Sequence, residues 1–293
     1  DVTANPRRPT LSEAQPVKDS DMAVFHLSTA ELGCMTDAVN CTLADERHLK
    51  ERIAIFREGN NLTPGLNIGA DTGWFNGMVA DILSNQVSVV VNDIGLTRGV
   101  ANIIDAHTEF PGDWLAQQNL YITPGARKGF APHCDPHTVV VAQLYGHKEW
   151  AIYDKVQDNP LTTNETRLVA EPGEVIPERT RFTVEAGDCF VLPRGVYHDA
   201  CAYDGPSVHM AIGIIGVRPV DYLWMLAEAG VHNADMRADM EPQAALEQAS
   251  EFLSHIQLSP LPMPRNPINE TTTPDNAKAG LRFEGALNAV SGS

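Results

Sequence analysis

Short apolar runs separated by glycine and proline fill the chain from about residue 114 onward. They are rich in β-branched and aromatic residues, and read LYITP, TVVVAQLYG, KEWAIYD, RFTVEAGD, CFVLPRG and SVHMAIGII. Short strands at this density are typical of a β-sandwich or barrel. Residues 114–216 are therefore predicted to form a mainly β core domain.

Residues 21–113 carry mostly helical patterns and are predicted to form a helical region that packs on the β core. Ser28-Thr29-Ala30-Glu31 has the form of a capping box, in which the hydroxyl and the carboxylate each satisfy a backbone N–H at a helix start. Apolar residues at helical spacing predict helices from Ala44 to Arg57, from Trp74 to Leu83 and from Leu96 to His107. The run QVSVVVN between Gln86 and Asn92 predicts a buried strand.

The two ends of the chain have different patterns from the core. Residues 1–20 are polar and contain proline, which predicts an arm without a core of its own. Residues 217–257 are predicted to be C-terminal helices, from Asp221 to Ala229 and from Pro242 to His255. Residues 258–293 are rich in Pro, Asn and Thr, which predicts an extended tail.

Composition excludes several function classes. The formal net charge is −17 and the few Lys and Arg are scattered, so we expect no direct nucleic-acid partner. The five cysteines are an odd set without a CxxC pair, which argues against a disulfide framework and a zinc ribbon and favours a cytoplasmic protein. The chain has no apolar run of about 18 residues and starts without an apolar segment, so we expect neither a membrane span nor an intact signal peptide.

A candidate metal site comes from three side chains. His133 and Asp135 form an H-x-D pair, which on an extended strand would place both side chains on one face and turn Cys134 away into the wall as a small hydrophobic residue. His198 follows in LPRGVYH, after a strand-like run and a turn. Two imidazoles and one carboxylate can occupy one face of octahedral Fe(II) and leave three positions open. H-x-D alone is a weak signal, and the alternative is that both histidines are ordinary residues at strand ends.

The motifs around these residues resemble those of the JmjC oxygenases. They are NLYITPGARKGFAPHCDPH, VVVAQLYGHKEWAIYD and AGDCFVLPRGVYHDA, within residues 114–216. The likeness is to the cupin-4-like hydroxylase branch, which includes the ribosomal oxygenases and the asparaginyl hydroxylase of hypoxia signalling. It implies a double-stranded β-helix, or jelly roll, flanked by N-terminal and C-terminal helices, with Fe(II) and 2-oxoglutarate as cofactors.

The same resemblance implies a site for 2-oxoglutarate. In this branch a cation fifteen residues after the first iron-binding histidine binds the distal carboxylate, and Lys148 stands at that spacing. Asn119 and Tyr121 match two assisting positions upstream. A buried dianion needs such a fixed cation and a hydroxyl or amide donor. The chain departs from some members at Gly213, where they have a polar residue that touches the cosubstrate.

Other side chains near these motifs have plainer interpretations. Trp150 alternates onto the Lys148 face and is expected to form a wall of the pocket. Tyr153 is expected to pack under the helices. His137 is expected to shape the strand or the pocket wall, and His147 and His209 to be structural, because a fourth protein ligand would block the positions that O2 chemistry needs.

The resemblance implies an Fe(II)- and 2-oxoglutarate-dependent dioxygenase that consumes O2 and releases succinate and CO2. We expect it to hydroxylate an aliphatic C–H of an amino-acid side chain in a protein, a peptide or an amino-acid-derived small molecule. The alternatives are a catalytically silent cupin-like binding protein and a JmjC N-methyl-lysine demethylase. Residues 222–226 are almost entirely apolar, and related hydroxylases often dimerise through helices after the barrel, so a homodimer is also expected.

Overall fold

The computed structural model describes residues 22–44, 52–57, 60–62, 87–110, 115–125, 127–128, 130–161, 168–259 and 268–269. Four α-helices lie within these ranges: α1 (Thr29–Ala44), α2 (Arg98–His107), α3 (Pro219–His232) and α4 (Pro242–Ser254). The strands before the β core are β1 (Val24–His26), β2 (Ile53–Arg57), β3 (Asn60–Asn61), β4 (Ser88–Val91) and β5 (Leu96–Thr97). The later strands are β6 (Leu115–Thr123), β7 (Arg127–Lys128), β8 (Thr138–Tyr145), β9 (His147–Val156), β10 (Glu178–Glu185), β11 (Asp188–Leu192), β12 (Val196–Ala202), β13 (Ser207–Ile214) and β14 (Ile268–Asn269).

Two antiparallel sheets form the β core. The larger sheet has the order β1-β11-β8-β13-β6-β4-β2-β3, and the smaller has the order β10-β9-β12-β7. Between β6 and β13 the chain passes repeatedly from one sheet to the other, so that β6, β8, β11 and β13 face β7, β9, β10 and β12. This winding is that of a jelly roll, and it confirms the predicted double-stranded β-helix.

The alternation of side chains along β8 separates two apolar cores. Val140, Ala142 and Leu144 point outward into a core shared with Val39 of α1 and Ile104 of α2. Val139 and Val141 point inward, into a second core between the sheets that includes Trp150, Phe182 and Phe190. Helices α1 and α2 therefore cover the outer face of the larger sheet and leave the space between the sheets for a site.

The predictions for the N-terminal region are partly confirmed and partly wrong. Helix α1 begins after Ser28, whose hydroxyl accepts from the backbone N–H of Glu31 while the Glu31 carboxylate accepts from the backbone N–H of Ser28, as the capping box predicted. The helix predicted from Ala44 to Arg57 is wrong, because α1 ends at Ala44 and residues 53–57 form strand β2. Ile53 and Ile55 are buried on one side of β2 and pair with β4, and so short an apolar run fits a strand and a helix equally well. The helix predicted from Trp74 to Leu83 lies outside the described residues.

The last part of the chain is only partly described. Residues Gly216–Pro264 form a separate compact unit that contains α3, a short 3-10 helix (Asp235–Arg237) and α4, as the helical pattern predicted. In the segment predicted to be a tail, β14 pairs in parallel with β5. The predicted arm over residues 1–20 lies outside the described residues, and the domain boundaries remain predictions.

Two observations concern the cysteines and the helices of the described residues. All five cysteines are free thiols, as expected for a chain without a disulfide framework. None of the helices in the described ranges combines the length and the apolar character that crossing a bilayer requires.

Candidate metal centre

Three possible metal ligands meet at one end of the space between the sheets. His133 and Asp135 lie between β7 and β8, and His198 lies on β12. One ligand atom from each lies within 4.8 Å of the others, and Nε2 of His198 is 3.7 Å from Oδ2 of Asp135. The sequence therefore selected three residues that the fold brings together.

The H-x-D segment is not on a strand, which corrects the prediction. His133 instead forms isolated bridges with His198 and with Val169. Pro132 and Pro136 flank the segment, and a proline has no N–H to donate to a sheet, which disfavours a continuous strand there. The bridge to His198 gives the segment its position.

Both candidate histidine ligands are oriented by a backbone carbonyl. Nδ1 of His133 lies 2.9 Å from the carbonyl oxygen of Ala131, and Nδ1 of His198 lies 3.0 Å from that of Val196. A carbonyl oxygen only accepts, so each Nδ1 carries the proton and each Nε2 keeps its lone pair for a metal. Burial and the nearby His133 lower the pKa of His198 to about 4, which keeps its ring neutral. Two neutral imidazoles and one carboxylate fit Fe(II).

A cavity of about 210 Å³ extends from these ligands into the space between the sheets. Val139, Val141, Leu192, Ala200 and Ala211 line it with apolar surface. Lys148 also lines it, on the inner face of β9. Ile152 of β9 lies opposite His198, so Lys148 is four residues further along, about 13 Å of strand from the ligand level.

Lys148 is a buried cation in the wall of the cavity. Its side chain is 3% exposed, and burial lowers its pKa to about 7. Nζ donates to Oγ1 of Thr123 at 3.0 Å and to Nδ1 of His209 at 3.3 Å. Within the described ranges no carboxylate forms an ion pair with it, so an anionic ligand in the cavity would supply its counter-charge.

Tyr121 and Asn119 take different positions. Tyr121 lines the cavity and stacks on His209, with ring centroids 4.7 Å apart and an interplanar angle of 6°. Burial, with a smaller contribution from Asp135, raises the pKa of Tyr121 to about 12, so its hydroxyl stays protonated. Asn119 hydrogen-bonds to Tyr121, and its Oδ1 accepts from the backbone N–H of Asp93 at 3.0 Å. Asn119 thus contacts Tyr121 and does not line the cavity.

Trp150 and Cys134 take the positions that were predicted, and Tyr153 does not. Trp150 lines the cavity as predicted, 5.8 Å from the ring of His198. Cys134 is buried beside Tyr197, as a small hydrophobic residue should be. The prediction for Tyr153 is wrong, because it packs with Cys134 on the outer face of the smaller sheet and its hydroxyl donates to Asp199 at 2.5 Å. Tyr153 faces that side because it alternates with the inward-facing residues of β9.

Two further histidines, His137 and His209, differ in their positions relative to the cavity. His137 is not part of the ligand group, and its ring lies against Gly213 at the metal end. His209, expected to be structural, lines the cavity and contacts Lys148. Thr123 was not singled out from the sequence. The alternation along β6 and β13 could have found both, since Thr123 shares a face with Tyr121, and His209 lies opposite Tyr121.

The part of the chain that contains this site is similar to known proteins. Residues 90–221 match the family model described as JmjC domain. The chain is 41% identical over 98 residues to the bifunctional lysine-specific demethylase and histidyl-hydroxylase NO66 of Dictyostelium discoideum, covering 32% of this chain and 18% of that protein. It is 36% identical over 102 residues to ribosomal oxygenase 1 of Gallus gallus, covering 33% of this chain and 16% of that protein. The chain thus spans less than a fifth of the length of these two relatives.

Among solved structures, the chain is similar to E. coli ycfD. The TM-score is 0.43 at 18% sequence identity, over 72% of this chain and 66% of that chain. A cupin from Methanocaldococcus jannaschii with a double-stranded β-helix gives a TM-score of 0.25 at 10% identity, over 34% of this chain and 71% of that chain.

Proposed function

We propose that the chain is an Fe(II)- and 2-oxoglutarate-dependent dioxygenase that hydroxylates an aliphatic C–H bond and releases succinate and CO2, and the match of residues 90–221 to the JmjC domain model supports this. One observation carries the proposal. The three ligand atoms within 4.8 Å of one another and the buried Lys148 line the same cavity. A metal at one end and a cation at the other suit a cosubstrate that chelates through one end and carries a second carboxylate.

His133, Asp135 and His198 would hold the iron. Three donors on one face leave three positions for the cosubstrate and O2. When bound, Fe(II) and 2-oxoglutarate supply the oxidising chemistry that activates O2 and transfers one oxygen atom to a C–H bond, while 2-oxoglutarate loses CO2 and becomes succinate. The protein needs no general base for this reaction, in accord with a cavity in which Asp135 is the only carboxylate among the described lining residues.

The other side chains bind and shield the cosubstrate. Lys148 Nζ would donate to the distal carboxylate, in a charge-assisted hydrogen bond that is strong because the site is buried. The protonated hydroxyl of Tyr121 can add a second donor, and the hydrogen bond from Asn119 holds the phenol in place. The apolar residues Val139 and Val141 exclude water from the space between the two ends.

We infer that the substrate is an amino-acid side chain in a protein, a peptide or an amino-acid-derived small molecule. The relatives named as histidyl-hydroxylase and ribosomal oxygenase support this class. Nucleic acid is disfavoured as a direct partner, since a net charge of −17 repels a phosphate backbone.

We also propose that two chains form a homodimer through the helices that follow the barrel.

The test is turnover with a substrate panel. The iron-loaded protein is incubated with 2-oxoglutarate, O2 and a panel of peptides and free amino acids, and products are read by mass spectrometry for the gain of one oxygen atom. The Asp135→Ala variant is the matched control for reactions that need no metal centre. Formaldehyde release from N-methyl-lysine peptides would favour the demethylase instead. Failure to bind 2-oxoglutarate or to form succinate under any condition would favour a silent binding protein.

A further inference from the structure

The Lys148 ammonium has three N–H donors, and the described residues accept from two of them. One bonds to Oγ1 of Thr123 at 3.0 Å and another to Nδ1 of His209 at 3.3 Å. An ammonium on a flexible stem normally rotates and moves among partners. With two donors bound to different groups, the direction of the third N–H is fixed as well.

The two acceptors come from neighbouring strands of the sheet opposite Lys148. Thr123 ends β6 and His209 lies on β13, which pairs with β6, whereas Lys148 is on β9 of the smaller sheet. Thr123 is 2% exposed and His209 is 4% exposed, so both are held by the core. The His209 ring is clamped further, because it stacks on Tyr121 and meets Trp150 edge-on, with centroids 5.4 Å apart at 81°.

Both acceptors are uncharged. An ammonium only donates, so Nδ1 of His209 must carry a lone pair and the ring proton must be on Nε2. Burial, together with the nearby Lys148, holds the pKa of His209 well below its usual value, in accord with a neutral ring. A carboxylate in either place would neutralise Lys148 and compete with an anionic ligand. A hydroxyl and a neutral imidazole orient the cation and leave its charge to the ligand.

We propose that Thr123 and His209 are positioning residues, which together orient the Lys148 ammonium so that its third N–H meets the distal carboxylate of 2-oxoglutarate. This inference rests on the proposed function, because it assumes that 2-oxoglutarate binds in the cavity. This pre-organisation increases the affinity for 2-oxoglutarate, because a donor that is already ordered loses little conformational freedom when the ligand binds.

Three single variants test the role of each acceptor. Thr123→Val keeps the shape of the side chain and removes its oxygen. His209→Phe keeps a ring to stack on Tyr121 and removes Nδ1. Ser207→Ala is the matched control, because Ser207 is also buried on β13, opposite Thr123, but its hydroxyl bonds to Gln143 and not to Lys148.

The measurement is 2-oxoglutarate affinity by calorimetry on the Mn(II)-loaded protein without O2, so that no turnover is needed. We expect Thr123→Val and His209→Phe each to weaken binding about tenfold, the value of one hydrogen bond to a charged group. Ser207→Ala should leave the affinity unchanged. His209→Asn, which can offer an amide oxygen near the place of Nδ1, should recover part of the loss.

Double variants separate positioning from general damage. In a Lys148→Met background, adding Thr123→Val or His209→Phe should weaken 2-oxoglutarate binding no further, because the group on which they act is gone. Mn(II) affinity should be the same in all variants. Additive losses of affinity in the double variants, or single Thr123 and His209 variants that bind 2-oxoglutarate as tightly as the wild type, would overturn the inference. The cosubstrate site would still be supported in that case if Lys148→Met alone weakens 2-oxoglutarate binding. A wild-type protein that does not bind 2-oxoglutarate, or a Lys148→Met variant with unchanged affinity, would overturn the cosubstrate assignment and the inference with it.

Discussion

The backbones of His133 and His198 are hydrogen-bonded to each other in both directions, with N–O distances of 3.0 and 2.8 Å. These two hydrogen bonds attach the segment between β7 and β8 to strand β12. They act through main-chain atoms, so they set where the two imidazoles meet without depending on the imidazoles themselves. Backbone hydrogen bonds thus fix the position of the candidate metal centre, and the side chains of His133, Asp135 and His198 supply its ligand atoms.

Removal of any one ligand should therefore abolish turnover and spare the fold. His133→Ala, Asp135→Ala and His198→Ala are each expected to eliminate Fe(II)-dependent succinate formation, because two remaining donors cannot hold the metal in a fixed geometry. Succinate yield, bound iron and circular dichroism would be measured together. His147→Ala is the control, since His147 lies on β9 outside the ligand group. Wild-type turnover in any one ligand variant would remove that residue from the site.

Loss of the buried cation should raise the 2-oxoglutarate requirement. Lys148→Ala removes a charge-assisted contact of about 2–3 kcal/mol, which corresponds to a change in affinity on the order of 30- to 150-fold. Lys148→Met keeps the apolar stem and should behave alike with less effect on packing. The measurement is initial rate against 2-oxoglutarate concentration. An unchanged requirement would mean that another group holds the distal carboxylate.

Binding of 2-oxoglutarate should take up a proton. Burial lowers the pKa of Lys148 to about 7 in the ligand-free protein, so at about pH 8 much of it is neutral, and a bound carboxylate raises that pKa again. Affinity should therefore fall as the pH rises through and above the ligand-free pKa. Calorimetry in two buffers of different ionisation enthalpy measures the uptake, and the Lys148→Met variant should lack it. Equal uptake in both proteins would assign the proton to another group.

The strands of the β core could be predicted from the sequence for a local reason. A run such as TVVVAQLYG alternates between two apolar cores, so period and residue type agree on one structure. The metal ligands and Lys148 were instead found through the resemblance to a family, because the H-x-D segment is not on a strand and His198 lies far from it in the chain.

Other features depend on contacts that no local pattern contains. Ile53 and Phe56 stand at a spacing that suits a helix, and only pairing with β4 makes their segment a strand. In the sequence His209 cannot be distinguished from any other strand histidine. Its contact with Lys148 of the opposite sheet, at 3.3 Å, is seen only in the folded structure. Likewise the prolines beside His133 disfavour a strand, but the bridge to His198 could not be predicted from them.

The absence of a side chain at residue 213 makes room for His137. A Cβ on Gly213 would stand 2.7 Å from Nε2 of His137 and 2.8 Å from its Cδ2, which is closer than such atoms approach. Gly213→Ala should therefore destabilise the protein by about 1–3 kcal/mol, as overpacking does. Thermal unfolding would measure this as a lower Tm.

Two further variants identify the cause of that loss. His137→Ala combined with Gly213→Ala should recover most of the stability, since the clash needs both side chains. Gly216→Ala is the control, because a Cβ there meets no atom within 4 Å. A double variant no more stable than Gly213→Ala alone would assign the strain to the backbone of β13 instead.

Assembly can be tested on helix α3, whose residues Leu223, Trp224 and Met225 are 63%, 46% and 37% exposed. Exposed apolar side chains that adjoin one another favour an interface, and two-fold self-contacts are the commonest kind. We expect light scattering at micromolar protein to give twice the chain mass of 31.9 kDa. Leu223→Asp should shift the protein to the mass of one chain, because it would bury a charge in the interface. Val175→Asp, at a residue 91% exposed in another part of the chain, should not. A wild-type mass of one chain that does not change on concentration would refute the dimer.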